Sequence, residues 1–432
     1  MFLLKGGKPL YGTVRLSGAK NSASKLFIAS LLTDQTIHLK NCPCSTIELM
    51  VTKQICEAVG TNFKKFSGNE AILQTKKIKE NSFPDDLSIV NRIGILTAGP
   101  LLKRTGEAKI PKIGGDKIGR RPVDFHLDAL QKLGADVREY NKFYELRAKS
   151  LYGANITLPF PSVGATENII MTACLAEGTT YINNAAVEPE VIDLILLLQK
   201  MGAIIDIHTD RKIVIKGVNK LGPASHSVLP DRLEAASLAS AAIASKGSIL
   251  IKDARQCDMI SFLNSVRRVG ADYEIIPEGI KFFYKDTLKP IIIETNVHPG
   301  FMTDWQPPFI ILLTQAIGVS IIHETVYENR FGYVSELKKM GADIELYNTC
   351  LGGSACRFSN TNYKHSALIK GPSTLKPAEI TVPDIRAGFS YLIAAILAKG
   401  ESIINGAHYI DRGYENIDEK LRKLGVNISR VY

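Results

Sequence analysis

The chain has a single tryptophan, Trp305, among 432 residues, and it lacks an apolar run long enough to cross a bilayer. Its longest apolar stretch, Pro308 to Ile322, is interrupted by Thr314, Gln315, Gly318 and Ser320. That falls short of the roughly 18 residues a span needs. Met1-Phe2-Leu3-Leu4 is apolar, but Lys5-Gly6-Gly7-Lys8 ends the run too early for a secretory leader. The expectation is a cytoplasmic protein with no membrane insertion. Cysteine is sparse and unpaired in pattern. The seven (Cys42, Cys44, Cys56, Cys174, Cys257, Cys350, Cys356) form no Cys-x-x-Cys pair, and no histidine follows at zinc-ligand spacing. They are expected to be reduced and mostly buried, with no metal site and no disulfide framework. Low-complexity sequence is missing too, which excludes a disordered chain. The net charge of +10 is not gathered into long basic runs and is not interleaved with aromatics. That argues against a nucleic-acid partner. It leaves two readings of the charge, solubility or an anionic small molecule held among basic groups.

What the sequence has in abundance is repetition. Six times a helix-like segment ends at glycine and a strand-like segment follows: at Gly60, Gly134, Gly202, Gly270, Gly341 and Gly425, roughly 70 to 85 residues apart. In each copy apolar residues recur three to four apart, and in most a Lys or Arg lies in the last turn, suited to the negative helix end. Glycine then supplies the left-handed residue that closes the helix. A second junction recurs around Gly178, Gly247, Gly318 and Gly400. Each unit therefore holds two helices and several short strands, and six units make a mixed α/β protein. Grouped by threes they give two similar domains.

Several stretches carry chemistry. Leu16-Ser17-Gly18-Ala19-Lys20-Asn21-Ser22 reads as a strand, a glycine turn and a helix opening at Asn21 or Ser22. Free N–H groups and a lysine there suit an anion, although a plain helix start beside an exposed lysine fits as well. Residues 112–126 place Asp116 among glycines and Lys112, Lys117, Arg120 and Arg121, which reads as a closing lid or as a solvated loop. Ser162-Val163-Gly164-Ala165 repeats the strand, glycine, helix pattern. Thr303-Asp304-Trp305 puts an acid at a helix start, either as a cap or as a functional carboxylate. Asp231-Arg232, Asp384-Ile385-Arg386 and Asp411-Arg412 are Asp–Arg pairs, best read on their own as structural ion pairs.

Taken together, these stretches resemble the UDP-N-acetylglucosamine 1-carboxyvinyltransferase family of enolpyruvyl transferases over essentially the whole chain. The residues that carry the likeness are Leu16–Asn21, Gly119–His126, Ser162–Asn168, Leu229–Arg232, Thr303–Gln306, Glu328–Phe331 and Ile410–Glu415. The resemblance implies two inside-out α/β barrel-like domains built from six pseudo-symmetric repeats, with the active site in the interdomain cleft. Residues 20–229 would form one domain, and residues 1–19 with 230–432 the other. It implies transfer of the enolpyruvyl group of phosphoenolpyruvate to the 3′-hydroxyl of UDP-N-acetylglucosamine by addition and elimination, with no cofactor and no metal. Asp116, Lys20, Asp304 and Arg412 would be catalytic. Lys20, Asn21, Arg92, Arg121, Pro122, Val123, Asp124, Phe125, Ser162, Val163, Asp304, Val326, Arg386 and Arg412 would bind substrate. Two departures stand out: Asp116 occupies the family's usual loop cysteine position, which implies insensitivity to the epoxide fosfomycin, and Phe160 replaces a lysine that some members use on the nucleotide. A paralogue with another hydroxyl acceptor, or a silent binding protein, remains open on this reading.

Overall fold

The structure, a computed structural model, describes residues 1–114, 122–353, 356–383 and 387–431. It divides into two compact units, one of residues 1–17 and 230–431, the other of residues 18–114 and 122–229.

The repeating element is clearest in residues 155–216. Strand Asn155–Thr157 pairs in parallel with Thr179–Asn183, and helix Val163–Ala173 connects them. Helix Pro189–Lys200 then leads into Ile204–Ile207 and Ile213–Lys216, and the latter returns antiparallel to Thr179–Asn183. Proline starts that second helix at the position where its missing N–H costs nothing. The resulting four-stranded order recurs with Ile292–Glu294, Gly318–His323, Ser366–Gly371 and Asp343–Tyr347. In all there are five four-stranded sheets and one three-stranded sheet among the described residues, three in each unit. They are separate sheets, not strands of one closed barrel.

Three sheets borrow a strand from far along the chain. Strand Phe2–Lys5 lies between Glu401–Asn405 and Asn427–Arg430, antiparallel to both. Strand Tyr11–Arg15 pairs in parallel with Ser248–Lys252. Strand Ala224–Ser227 does the same with Thr36–Lys40.

The expected glycines do what the repeat required. Gly60, Gly134, Gly202, Gly270, Gly341 and Gly425 all have positive φ, between +92° and +113°. Each precedes a strand, for example Asp136–Glu139 and Asn427–Arg430.

Helices fill the interior and sheets face outward. Helix Arg232–Ala244 is buried at every position, as is Gln306–Leu313, and Gly388–Leu397 is buried at all but its last residue. A helix without a polar face must be surrounded by protein. The strands alternate instead, as in Ser248–Lys252, where Ile249 and Ile251 point inward and their neighbours are half-exposed. Around Trp305 the core is aromatic: its ring lies 5.5 Å from Phe262 and 5.6 Å from Phe301, and Phe301 lies 5.4 Å from Phe309. Such edge-to-face pairs add to the burial of large rings. No helix among the described residues is long and apolar enough to cross a membrane.

Candidate active site

In the unit of residues 18–229, helix Lys20–Ser30 begins one residue earlier than the sequence suggested, with Lys20 as its first residue. The turn before it is fixed by sterics and hydrogen bonds. A Cβ on Gly18 would lie 1.8 Å from the Asn41 carbonyl oxygen, so only glycine fits. The Ala19 N–H donates to the Leu229 carbonyl at 2.7 Å. Lys20 is 5% exposed, so its ammonium is held in a fixed environment at the positive end of a helix.

A polar network that the sequence did not reveal supports this turn. Asp193 accepts from Ser22 Oγ at 2.5 Å and from the Leu229 N–H at 3.3 Å, and it lies 2.8 Å from His226 Nε2. His226 Nδ1 meets the Lys200 ammonium at 3.0 Å. An ammonium only donates, so Nδ1 accepts and Nε2–H points to Asp193. The participants are far apart in sequence, 171 residues for Ser22 and Asp193, and no local spacing could have found them.

Beside Asn21 lies a buried acid. Lys25 donates to the Asn21 carbonyl and stands 3.9 Å from Glu167 Oε1. Glu167 is fully buried, and neither carboxylate oxygen has a hydrogen-bond partner among the described residues. Desolvation pushes its carboxyl up to about 7, opposed by Lys25 and reinforced by Glu190 and Glu188.

The other expected residues of this unit gather at the start of helix Val163–Ala173. Ser162 caps it, its Oγ accepting from the Ala165 N–H at 3.4 Å, and Val163 is half-buried behind it. Arg92 donates to the Pro122 carbonyl at 3.2 Å. Pro122 and Asp124 are exposed, Val123 is buried and Phe125 half-buried, with Asp124 in the first turn of helix Asp124–Lys132 where its charge is favoured. His126 ties these pieces together. Its Nδ1 lies 3.2 Å from Asn168 Nδ2, and the backbone of Gly164 packs against its ring. Burial, and then the Arg92 charge, hold its imidazolium down at about 3, so the ring is a neutral acceptor for the Asn168 amide. Asp116 and Arg121 lie outside the described residues, as does Arg386.

In the unit containing residues 230–431, Asp304 does not cap a helix. It sits in a short 3-10 turn, Thr303–Trp305, and Oδ1 accepts from Arg330 Nη2 at 3.2 Å. Arg330 is itself fully buried and also donates to Thr303 Oγ1 and the Thr303 carbonyl, at 3.3 and 3.4 Å. Thr303 Oγ1 donates to Glu324 Oε2 at 2.9 Å. Glu324 Oε1 accepts from the N–H groups of Val326 and Tyr327 at 2.8 and 3.1 Å. One buried chain of bonds therefore fixes both Asp304 and Val326. Desolvation raises the Glu324 carboxyl above its ordinary range, against the pull of Arg330. Glu324, Thr303 and Arg330 were not among the expected site residues. Arg412 is half-buried in the last turn of helix Ala407–Gly413. Its neighbour Asp411 pairs with Arg430, at 2.7 and 2.8 Å, and Asp231 caps helix Arg232–Ala244.

A family model described as EPSP synthase (3-phosphoshikimate 1-carboxyvinyltransferase) matches residues 4–421. The chain belongs to this family. It is a carboxyvinyl, or enolpyruvyl, transferase. It is 48% identical over 438 residues to the UDP-N-acetylglucosamine 1-carboxyvinyltransferase of Protochlamydia amoebophila, covering 99% of this chain and 94% of the relative. The protein of the same name from Chlamydia abortus is 46% identical, with 98% and 96% covered. Among solved structures, the enolpyruvyl transferase NikO from Streptomyces tendae superimposes with a TM-score of 0.87 at 22% identity, over 99% of this chain and 98% of that one. EPSP synthase from Acinetobacter baumannii does so at 0.74 and 17%, covering both chains fully. These last two establish the transferase fold, in agreement with the mixed α/β expectation.

Proposed function

We propose that this transferase moves the enolpyruvyl group of phosphoenolpyruvate onto the 3′-hydroxyl of UDP-N-acetylglucosamine, releasing phosphate, as the first committed step of peptidoglycan synthesis. The reading rests on one observation above others: relatives of that name match nearly the full chain, among them two at 48% and 46% identity. Within each unit, the placement of the described residues supports it, with Lys20 at a helix start and Asp304 held by Arg330. Lys20, Asn21, Arg92, Arg121, Arg386 and Arg412 supply cations and donors for the phosphate and carboxylate of phosphoenolpyruvate, where a guanidinium fork can bind two oxygens at once. Pro122, Val123, Asp124, Phe125, Ser162, Val163 and Val326 line the sugar-nucleotide site. Asp304, oriented by Arg330, takes the proton of the 3′-hydroxyl as its oxygen adds to C2. Asp116 protonates C3. The tetrahedral adduct then loses a C3 proton and its C2–O–phosphate bond breaks, which re-forms the C2–C3 double bond and leaves the sugar's enol ether and free phosphate. No organic cofactor enters this sequence.

The test is phosphate release from phosphoenolpyruvate, with and without UDP-N-acetylglucosamine, across roughly pH 5 to 9. Release that requires the sugar nucleotide is expected. Release that instead requires another hydroxyl acceptor would assign a different substrate, and no release under any condition would overturn the reading.

A further inference from the structure

The transferase chemistry leaves one cluster of reactive side chains unused. His323, at the end of strand Gly318–His323, Cys350, Cys356 and His365 place one nitrogen or sulfur each within 4.8 Å of one another. Both histidines are fully buried. Linear spacing conceals the cluster, because His323 lies 27 residues before Cys350 and the cysteines are six positions apart.

The hydrogen bonds turn both rings the same way. Ser366 Oγ donates to the Thr349 carbonyl at 2.7 Å, so it accepts from His323 Nδ1 at 2.9 Å. His365 Nδ1 donates to the Tyr363 carbonyl at 2.8 Å. Both Nε2 atoms therefore carry the lone pair. His365 Nε2 lies 3.4 Å from Cys350 Sγ. His323 Nε2 is buried with no hydrogen-bond partner among the described residues. A buried acceptor without a partner is costly unless something satisfies it. An Nδ1–H anchored to oxygen, with Nε2 left for a cation, is the usual arrangement of metal-ligating imidazoles.

The distances agree. Two thiolates on a tetrahedral zinc, each about 2.3 Å from the ion, are separated by about 3.8 Å, and a thiolate and an imidazole nitrogen by about 3.5 Å. Cys350 and Cys356 Sγ are 3.7 Å apart, well beyond the roughly 2 Å of a disulfide. The Phe358 N–H points at Cys356 Sγ at 3.4 Å, a donor suited to a thiolate. The 4.8 Å limit means that the widest pair, which includes an imidazole nitrogen because the sulfurs are already 3.7 Å apart, must close by up to about 1.5 Å around an ion.

We propose that His323, Cys350, Cys356 and His365 bind one zinc ion in a tetrahedral structural site that fastens the segment between strands Asp343–Tyr347 and Ser366–Gly371. Four protein ligands leave no open position for substrate, so the ion is structural. Next to Cys356, Arg357 donates to the Val326 carbonyl. The ion thus holds in place a residue that contacts the segment bonded to Glu324.

The test is metal content of the full chain purified with its thiols reduced, measured by inductively coupled plasma mass spectrometry. About one zinc per chain is expected. Replacing it with cobalt should give a thiolate charge-transfer band and the intense visible bands of tetrahedral geometry. The double variant Cys350→Ser/Cys356→Ser should lose both metal and bands. Should that variant fail to fold, His323→Gln should still weaken cobalt binding at least tenfold by direct titration. Wild-type protein holding less than about a tenth of an equivalent after incubation with zinc would overturn the proposal. So would a double variant that keeps its metal, or a cobalt spectrum without the thiolate band. None of these readouts depends on transferase activity, so the site and the proposed reaction stand or fall separately.

Discussion

Glu167 is a carboxyl that folding forces to hold its proton. Its folded value near 7 lies above the ordinary carboxyl value of 4.5. Between those values the folded state binds a proton that the unfolded state has released. Stability therefore falls as pH rises from about 4.5 to 7, and the full penalty, at most about 3 kcal/mol, is present above 7. Glu167→Gln should raise stability in urea at pH 8 and have little effect near pH 4, where both side chains are neutral. Equal effects at the two pH values would show that Glu167 is not desolvated as described. Asp304 is tested differently. Asp304→Asn keeps the shape and the Arg330 contact but cannot accept a proton, so kcat should fall about 10²- to 10⁴-fold while sugar-nucleotide binding changes little. The Asp116 position makes a third residue-level prediction. Fosfomycin should cause no time-dependent inactivation of the wild type, because a carboxylate opens the epoxide poorly. Asp116→Cys should acquire such inactivation, with a covalent adduct visible by mass spectrometry.

At the scale of elements, the glycine-closed helices separate two reasons for glycine. Gly425 has φ +92°, and a Cβ added there would meet nothing within 4 Å, so its constraint is conformational only. Gly425→Ala should cost about 1 to 2 kcal/mol, and Gly425→Asn less, by chemical denaturation. At Gly18 the obstacle is the Asn41 carbonyl, so alanine there must displace the turn that presents Lys20. These helices can be read in advance because each carries its own signals, apolar spacing and a closing glycine, to which most add a basic last turn; the helix before Gly60 lacks the basic turn. The helix at Lys20 and the cap at Ser162 are legible for the same reason. The Asp193–His226–Lys200 and Thr303–Glu324–Arg330 networks are not, because each joins segments that are separate in sequence and meet only through tertiary packing. From its neighbours in sequence the acid at Asp304 could be either a cap or a functional group. Its partner Arg330, 26 residues away, decides that its carboxylate is not spent on a helix end.

For the molecule as a whole, the repeat count and the mixed α/β class followed from the sequence, whereas strand exchange among the sheets did not. A strand pairs by backbone hydrogen bonds, which carry little trace in side-chain pattern. Strand Phe2–Lys5 is interior to its sheet, and Phe2 and Leu4 are fully buried. Removing residues 1–7 should abolish hydrogen-exchange protection in Glu401–Asn405 and Asn427–Arg430. Protection in Thr36–Lys40 and Glu70–Gln74, which take no strand from that end, should persist.

The same borrowed strand sets a schedule for synthesis on the ribosome. Among the described residues, every strand of the unit of residues 18–114 and 122–229 lies between Thr36 and Ser227, so that unit has all its strands as soon as Ala224–Ser227 emerges. Phe2–Lys5, made long before its partners, must wait until both of its neighbours, Glu401–Asn405 and Asn427–Arg430, have been translated. At about 5 to 20 residues per second, that wait lasts tens of seconds. During that time an apolar strand is exposed, and it is a natural client for a chaperone that binds the nascent chain.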